Sequence, residues 1–451
     1  MTIPFIMKDF LKQFIPAPLL KVYHYFLSYL AAVIYGFPSE KLIVIGVTGT
    51  NGKSTVVNLI GAILEEAGFK VALTSTINFK LAAQENLNSL KMTMPGRFFL
   101  QRFLRQAVGN GCQYAVVECS SEGVLQYRHT NIHYDVLVFT NLAPEHIERH
   151  GGFENYKSAK LDYFVLLEKL PPKVIRGKTI SKAIVVNAES KYAEEFLNFK
   201  VDQKFAFSFS AKAVKNLPGA QIISPERIDL SPAATTFFLH HAKFTTPLLG
   251  LFNVENALAA VACALSLGVS LETSQKALAH LKQIPGRLEF IREGQNFDIL
   301  IDYAPEPNSL SALYGILDSW PHGRLIHILG SAGGGRDKSR RQVLGRMAGA
   351  TADIVIVANE DPYDEDPQAI IDQVGAGAVA SGKILGKDLF TFLDRREAIA
   401  FALKEAKPKD LILLTGKGAE QAIMVAHGRK VPWDERVVVR EELGKVLRSK
   451  N

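Results

Sequence analysis

The sequence predicts an α/β protein: a P-loop-type doubly wound central domain followed by a smaller Rossmann-like C-terminal α/β domain. Three observations predict it. An apolar, β-branched run at residues 42–47 leads into a glycine-rich turn and then into helical spacing. Strand-like and helix-like stretches alternate from there onward. The alternation restarts after Pro285 and Gly286, within a hinge at Gln283–Arg287.

The bulk numbers agree. A chain of 451 residues is too long for one core, so two or three domains are expected. With 47% hydrophobic and 22% charged residues it reads as an ordinary soluble protein. A net charge of +7 suits anionic substrates such as nucleotides, and an acidic membrane surface as well. The basic residues are scattered, with no aromatic-interleaved stripe, which argues against a nucleic-acid partner. Cys112, Cys119 and Cys263 lack metal-type spacing and suit a reducing cytoplasm.

Residues 1–40 form an apolar helical N-terminal segment. No small-residue cleavage site follows residues 1–18, so a signal peptide is not indicated. As a helix, residues 19–35 would be about 26 Å long, short of a hydrocarbon core, and Lys21 and His24 interrupt them. The favoured reading is a helix packed on the catalytic body. The other is an interfacial helix giving peripheral membrane contact.

The central domain is placed at residues 41–284. In Gly46-Val47-Thr48-Gly49-Thr50-Asn51-Gly52-Lys53-Ser54-Thr55 the backbone N–H groups of the turn and the positive helix end suit phosphate oxygens. Lys53 can reach a β- or γ-phosphate, and the Ser54 hydroxyl can bind Mg²⁺. Strands follow at Lys70–Thr74, Tyr114–Glu118 and Asp135–Thr140, with a helix at Phe98–Val108. Glu118 ends a strand beside the phosphate loop, where a carboxylate can hold Mg²⁺. His146, just past another strand, would face the same crevice. Residues 201–245 alternate weakly and predict a small antiparallel sheet, and a helix is predicted from about Val254. Helix capping by Asn253 accounts for that residue as well as a ligand role does.

The C-terminal domain is placed at residues 285–451, with strands at Ile299–Tyr303, Leu325–Leu329, Ile354–Ala358 and Leu411–Thr415. The run Gly330–Arg341 puts glycines and bases after a strand. It lacks the dinucleotide fingerprint and suits an anionic substrate.

The run Thr48–Thr55 resembles the ATP loop of the Mur ligases, the ATP-dependent amide ligases of peptidoglycan precursor synthesis. Residues 41 to about 440 resemble the MurE-type branch, the UDP-N-acetylmuramyl-tripeptide synthetases. The resemblance implies an ATP site at Gly49, Thr50, Asn51, Gly52, Lys53, Ser54 and Thr55, with Asn253 and Asn256 on the adenine side. Arg287 and Asp302 would reach the nucleotide from the second domain. It implies Mg²⁺ ligands Ser54, Glu118 and His146, with Lys160 as a carbamylated lysine. From the residues alone Lys160 is a helix-surface lysine. Thr93, Ser120, Gln126 and Arg128 match residues that contact the muramyl peptide. Arg336 matches a contact to the carboxylate of the incoming amino acid, and Gly416 and Glu420 match residues at its far end.

Several positions depart from the family pattern. Met94 stands for threonine, Glu122 and Ala419 for histidines, and Glu145 for aspartate. The selectivity motif Asp-Asn-Pro-Arg of diaminopimelate-adding members reads Glu360-Asp361-Pro362-Tyr363, without the arginine that grips a distal carboxylate. Glu360, Asp361 and Glu420 would favour a distal amine. Only residues 1–40 stand where the family has its uridine-nucleotide domain.

The implied enzyme is a cytoplasmic monomer of the acid–amino-acid ligase class. It uses ATP and Mg²⁺ to add an amino acid, expected to be a diamino acid, to the D-Glu carboxylate of a muramyl dipeptide through an acyl phosphate. A folylpolyglutamate-synthetase-like ligase and a non-catalytic nucleotide-binding scaffold at the membrane are the alternatives.

Overall fold

The computed structural model describes residues 17–143, 150–210, 217, 219–232 and 234–449. They form two compact units, residues 1–282 and 283–451.

In the first unit, α1 (Ala17–Tyr35) packs on the body through Ala31 and Ala32, both 0% exposed. Its Ser28 hydroxyl donates to the Thr130 carbonyl at 3.1 Å. Leu19, Val22, Tyr23, Phe26 and Ile34 on the same helix are exposed. No described helix is long and apolar enough to cross a membrane.

A nine-stranded sheet follows. Its strands are β1 (Ile43–Thr48), β2 (Val71–Thr74), β3 (Asn78–Leu81), β4 (Gln84–Leu87), β5 (Tyr114–Cys119), β6 (Val136–Phe139), β7 (Ala183–Asn187), β8 (Gln203–Phe207) and β9 (Gln221–Ile223). The spatial order is β9-β8-β7-β6-β1-β5-β2-β3-β4. It is parallel except for the β2-β3-β4 edge. β1 is buried on both faces, which is why its sequence is continuously apolar rather than alternating.

The described helices flanking this sheet include α2 (Lys53–Glu66), α3 (Arg97–Gly109), α4 (Ser121–Leu125), α5 (Phe153–Lys169) and α6 (Leu251–Ser266). The antiparallel sheet is present but smaller than expected: β10 (Arg227–Leu230), β11 (Thr235–Leu239) and β12 (Ala242–Thr246). Residues 203–207 belong instead to the parallel sheet, because Phe205 and Phe207 are buried there beside β7.

The second unit has a six-stranded sheet of β13 (Glu289–Phe290), β14 (Asp298–Ile301), β15 (Leu325–Leu329), β16 (Ile354–Ala358), β17 (Leu389–Phe392) and β18 (Leu411–Leu414). The order is β13-β14-β18-β15-β16-β17, parallel apart from β13. Helix α7 (Arg395–Glu405), the hairpin β19 (Ala422–Val425) and β20 (Arg429–Pro432), and α8 (Glu435–Ser449) complete the part used below.

Candidate active site

The strand order reverses at β1, which has β5 on one side and β6 on the other. Their C-terminal ends open on one crevice, where ligands of such sheets bind. Everything around the glycine turn converges there. Thr50 N–H donates to the Asn141 carbonyl at 2.9 Å, and Asn51 N–H to Asn141 Oδ1 at 2.8 Å. The Thr140 hydroxyl donates to the Asn51 carbonyl at 2.7 Å. Gly52 caps α2 at φ 82° with no side-chain cap. A Cβ there would run into the Asn256 amide, so only glycine lets the helix start against α6. The first N–H groups of α2 lack intrahelical acceptors and lie at its positive end, as an anion site requires. Lys53 Nζ donates to the Thr50 carbonyl at 2.6 Å, so its ammonium stands over the turn.

Glu118 is 2% exposed and held by three donors. These are the Ser54 hydroxyl at 2.8 Å, Thr76 N–H at 2.6 Å and the Thr76 hydroxyl at 3.0 Å. A carboxylate and a hydroxyl sharing one contact at the mouth of a phosphate loop are hard oxygen donors that fit Mg²⁺. Among the described residues no group of three or more His, Cys, Asp or Glu could hold a metal, so phosphate and water would complete the shell. His146 lies outside the described residues.

Lys160 corrects the sequence reading. It is 2% exposed rather than on the helix surface. Its Nζ donates to the Gly49 carbonyl at 2.6 Å and lies 4.5 Å from the Tyr156 ring centroid. The residue faces β1 because this side of α5 closes the crevice. Asn253 is not the helix cap either. Gly250 takes that place, and Asn253 Nδ2 donates to the Leu249 carbonyl at 2.8 Å while Oδ1 accepts from Asn256 at 3.0 Å. Next to it, burial raises the Glu255 carboxyl to about 7, with Glu189 adding to the shift. Thr55 is buried in the first turn of α2.

The residues matched to the muramyl peptide gather on one side of Glu118. The Thr93 hydroxyl lies within hydrogen-bond distance of the Thr76 hydroxyl, 3.0 Å away. The Ser120 hydroxyl caps α4 by accepting from Gly123 N–H at 3.1 Å. Arg128 bonds Gln126 Oε1 at 2.7 Å and the Met94 carbonyl. Burial, reinforced by Arg97, lowers the Arg128 pKa, which makes a bound anion there more favourable.

In the second unit the loops after β14, β15, β16 and β18 leave the same end of the sheet. Asp302 accepts from Leu288 N–H and Ala304 N–H, each at 2.9 Å, and burial raises its pKa against the pull of Arg287. The Arg287 guanidinium stacks 4.6 Å from the Tyr303 ring centroid. Arg336 lies 5.6 Å from that of Tyr363. Burial opposes its charge, yet Tyr303, Tyr363, Asp361 and Glu360 together hold it above the usual arginine range.

The three acids proposed for a distal amine are not equivalent. Lys417 Nζ donates to Asp361 at 2.9 Å and to Glu420 at 2.8 Å, so an ammonium of the chain already sits between these two. Glu360 is 5% exposed, and burial and then Asp361 raise its pKa.

Sequence reading passed over Thr76, Thr140, Tyr156 and Lys417. Each acts through a ligand-facing neighbour rather than carrying motif chemistry of its own. Asn141 stood at a strand end beside the crevice, and that placement was the signal for it.

Residues 47–264 match the Mur ligase middle domain and residues 286–418 the Mur ligase, glutamate ligase domain. A UDP-N-acetylmuramyl-tripeptide synthetase of Roseiflexus sp. is 35% identical over 436 residues, covering 96% of this chain and 85% of that protein. A UDP-N-acetylmuramoyl-L-alanyl-D-glutamate–2,6-diaminopimelate ligase of Geobacillus thermodenitrificans is 32% identical, covering 92% and 81%. A solved diaminopimelate ligase of the same name superposes with TM-score 0.58 at 27% identity, covering 90% and 79%. Mycobacterium tuberculosis folylpolyglutamate synthase shares the fold, with TM-score 0.64 at 16% identity over 94% and 95%.

Proposed function

Since the chain belongs to the Mur ligase family, of the MurE type, we propose that it is an ATP-dependent amide ligase of peptidoglycan synthesis. It joins an amino acid to the D-Glu carboxylate of a muramyl dipeptide. The observation that carries this reading is the Ser54–Glu118 contact at 2.8 Å beside the turn that Lys53 covers.

The acceptor carboxylate attacks the γ-phosphate of ATP. An acyl phosphate and ADP result, and the amine of the incoming amino acid then displaces phosphate to give the amide. Lys53 and the N–H groups at the start of α2 stabilise the charge that spreads over the transferring phosphoryl group. Mg²⁺, when bound, neutralises part of the phosphate charge. Glu118 and Ser54 are the residues to hold it. Lys160 holds the Gly49 carbonyl and so the shape of the turn. Arg128 holds an acidic group of the acceptor, and Arg336 the α-carboxylate of the amino acid.

The incoming residue is a diamino acid with a distal amine. Tyr363 cannot pair with a distal carboxylate as an arginine would, and Glu360 offers a buried acid. A screen of L-lysine, L-ornithine, meso-diaminopimelate and L-alanine for phosphate release, with UDP-N-acetylmuramoyl-L-Ala-D-Glu as acceptor, tests this. Lysine or ornithine is expected to be best. Turnover with diaminopimelate alone contradicts the selectivity, and no response to any amino acid contradicts the ligase reading. Folate is the weaker acceptor, because the likeness to folylpolyglutamate synthase extends to the fold alone.

The exposed apolar row of α1 supports a separate, peripheral lipid contact. Flotation of the chain with anionic vesicles tests it, and a Val22→Ser/Phe26→Ser chain that floats equally well contradicts it.

A further inference from the structure

We propose that Lys417 is a positioning residue: it is the built-in counter-ion of the amino-acid pocket, fixing Asp361 and Glu420 so that Glu360 alone receives the substrate's distal amine. This rests on the ligase reading above.

An ammonium has three N–H donors. Lys417 is 0% exposed and directs its donors to Asp361 Oδ1 at 2.9 Å, Glu420 Oε2 at 2.8 Å and the Ala422 carbonyl at 2.8 Å. Asp361 Oδ1 also accepts from Met424 N–H at 2.7 Å. One side chain therefore ties the loop after β16 to the loop after β18 and to β19. Acids this close repel each other unless a cation lies between them.

The pocket beside this staple is differently built. Gly416, with φ 99°, passes Glu360 so closely that a Cβ would land on its carboxylate. Among the described residues no hydrogen bond ends on the Glu360 carboxylate, although the residue is 5% exposed. Ser331 follows Gly330, which packs on Glu360. The Ser331 hydroxyl is buried, 3% exposed, and has no hydrogen-bond partner. A buried acid on which no hydrogen bond ends and a buried hydroxyl without a partner are the acceptors an incoming ammonium would meet. Asp361 and Glu420 cannot serve it in the same way while Lys417 holds them.

The test compares the wild-type chain with Lys417→Met, which keeps the stem without the charge, and Lys417→Ala, which opens a cation-sized gap. Removing a buried ion-pair partner is expected to raise KM for the diamino acid about thirtyfold or more. KM for ATP is expected to stay within about twofold, since the donors of Lys417 go to Asp361, Glu420 and the Ala422 carbonyl. Methylammonium should refill the gap in Lys417→Ala, lowering KM for the amino acid and raising the midpoint of thermal unfolding, and should do neither to the wild type. The thermal shift needs no turnover, so it reads the counter-ion role even if the ligase reading fails. An unchanged KM for the amino acid in Lys417→Met overturns the proposal. So does a Lys417→Ala chain that methylammonium does not stabilise.

Discussion

The two sites hold their loops by different balances of neutral and charged groups. Around Thr50–Gly52 the turn is fixed largely by neutral groups, the hydroxyls of Thr140 and Tyr156 and the amide of Asn141, with the Lys160 ammonium on the Gly49 carbonyl beside them. In the second unit the loop from Thr415 to Glu420 is fixed by buried charge. Arg395 donates to the Thr415 carbonyl at 2.7 Å and to Glu435 at 2.6 Å, and Lys417 joins Asp361 to Glu420. The difference follows from what each site recognises. A phosphate chain is constant and can be gripped by backbone N–H groups. An amino-acid side chain must be told from others, and buried charges placed by other buried charges do that.

If charge holds the second unit together, breaking it costs most there. Arg395→Met leaves Glu435, 0% exposed, without its counter-ion. The expected loss is about 3–5 kcal/mol of unfolding free energy, read by urea denaturation. A loss under about 1 kcal/mol, the level of an exposed pair, would erase the contrast.

The first unit should fail in function instead. Lys53→Ala is expected to slow ADP formation about 10²–10³-fold with the unfolding midpoint unchanged. Equal loss of stability and rate would mean that Lys53 is structural. Glu118→Gln keeps the shape but not the charge. It should raise the Mg²⁺ concentration for half-maximal rate about tenfold, measured by metal titration. An unchanged Mg²⁺ curve would remove Glu118 from the ligands.

The last effect is a pH dependence. Glu255 is raised to about 7 by burial and by Glu189. An acid whose pKa is higher in the folded state keeps its proton there while the unfolded chain releases it. Stability is therefore lost as pH rises from the ordinary glutamate range to about 7. Glu255→Gln should gain about 3 kcal/mol at pH 8 and nothing near pH 4. A gain at both values would mark the shift as packing.

The parts legible in the sequence are those where one residue type does one job in local order. The strand, glycine turn and helix at residues 43–66 follow from apolar spacing and from Gly52 alone. Leu325–Leu329 and Ile354–Ala358 were readable because buried parallel strands are continuously apolar. The parts that were not legible depend on partners far along the chain. Lys160 looks like a surface lysine until Gly49 is brought against it. Lys417 sits between two residues singled out for ligand contact. Nothing local says that its charge meets Asp361, 56 positions away.

The most direct test is the ratio of ADP released to amide formed, with the acceptor dipeptide and a diamino acid both present, the product being weighed by mass spectrometry. One ADP per amide, and neither without both substrates, is the expected result. ADP released at the same rate without acceptor or amino acid, and no amide in the product, would contradict the ligase reading.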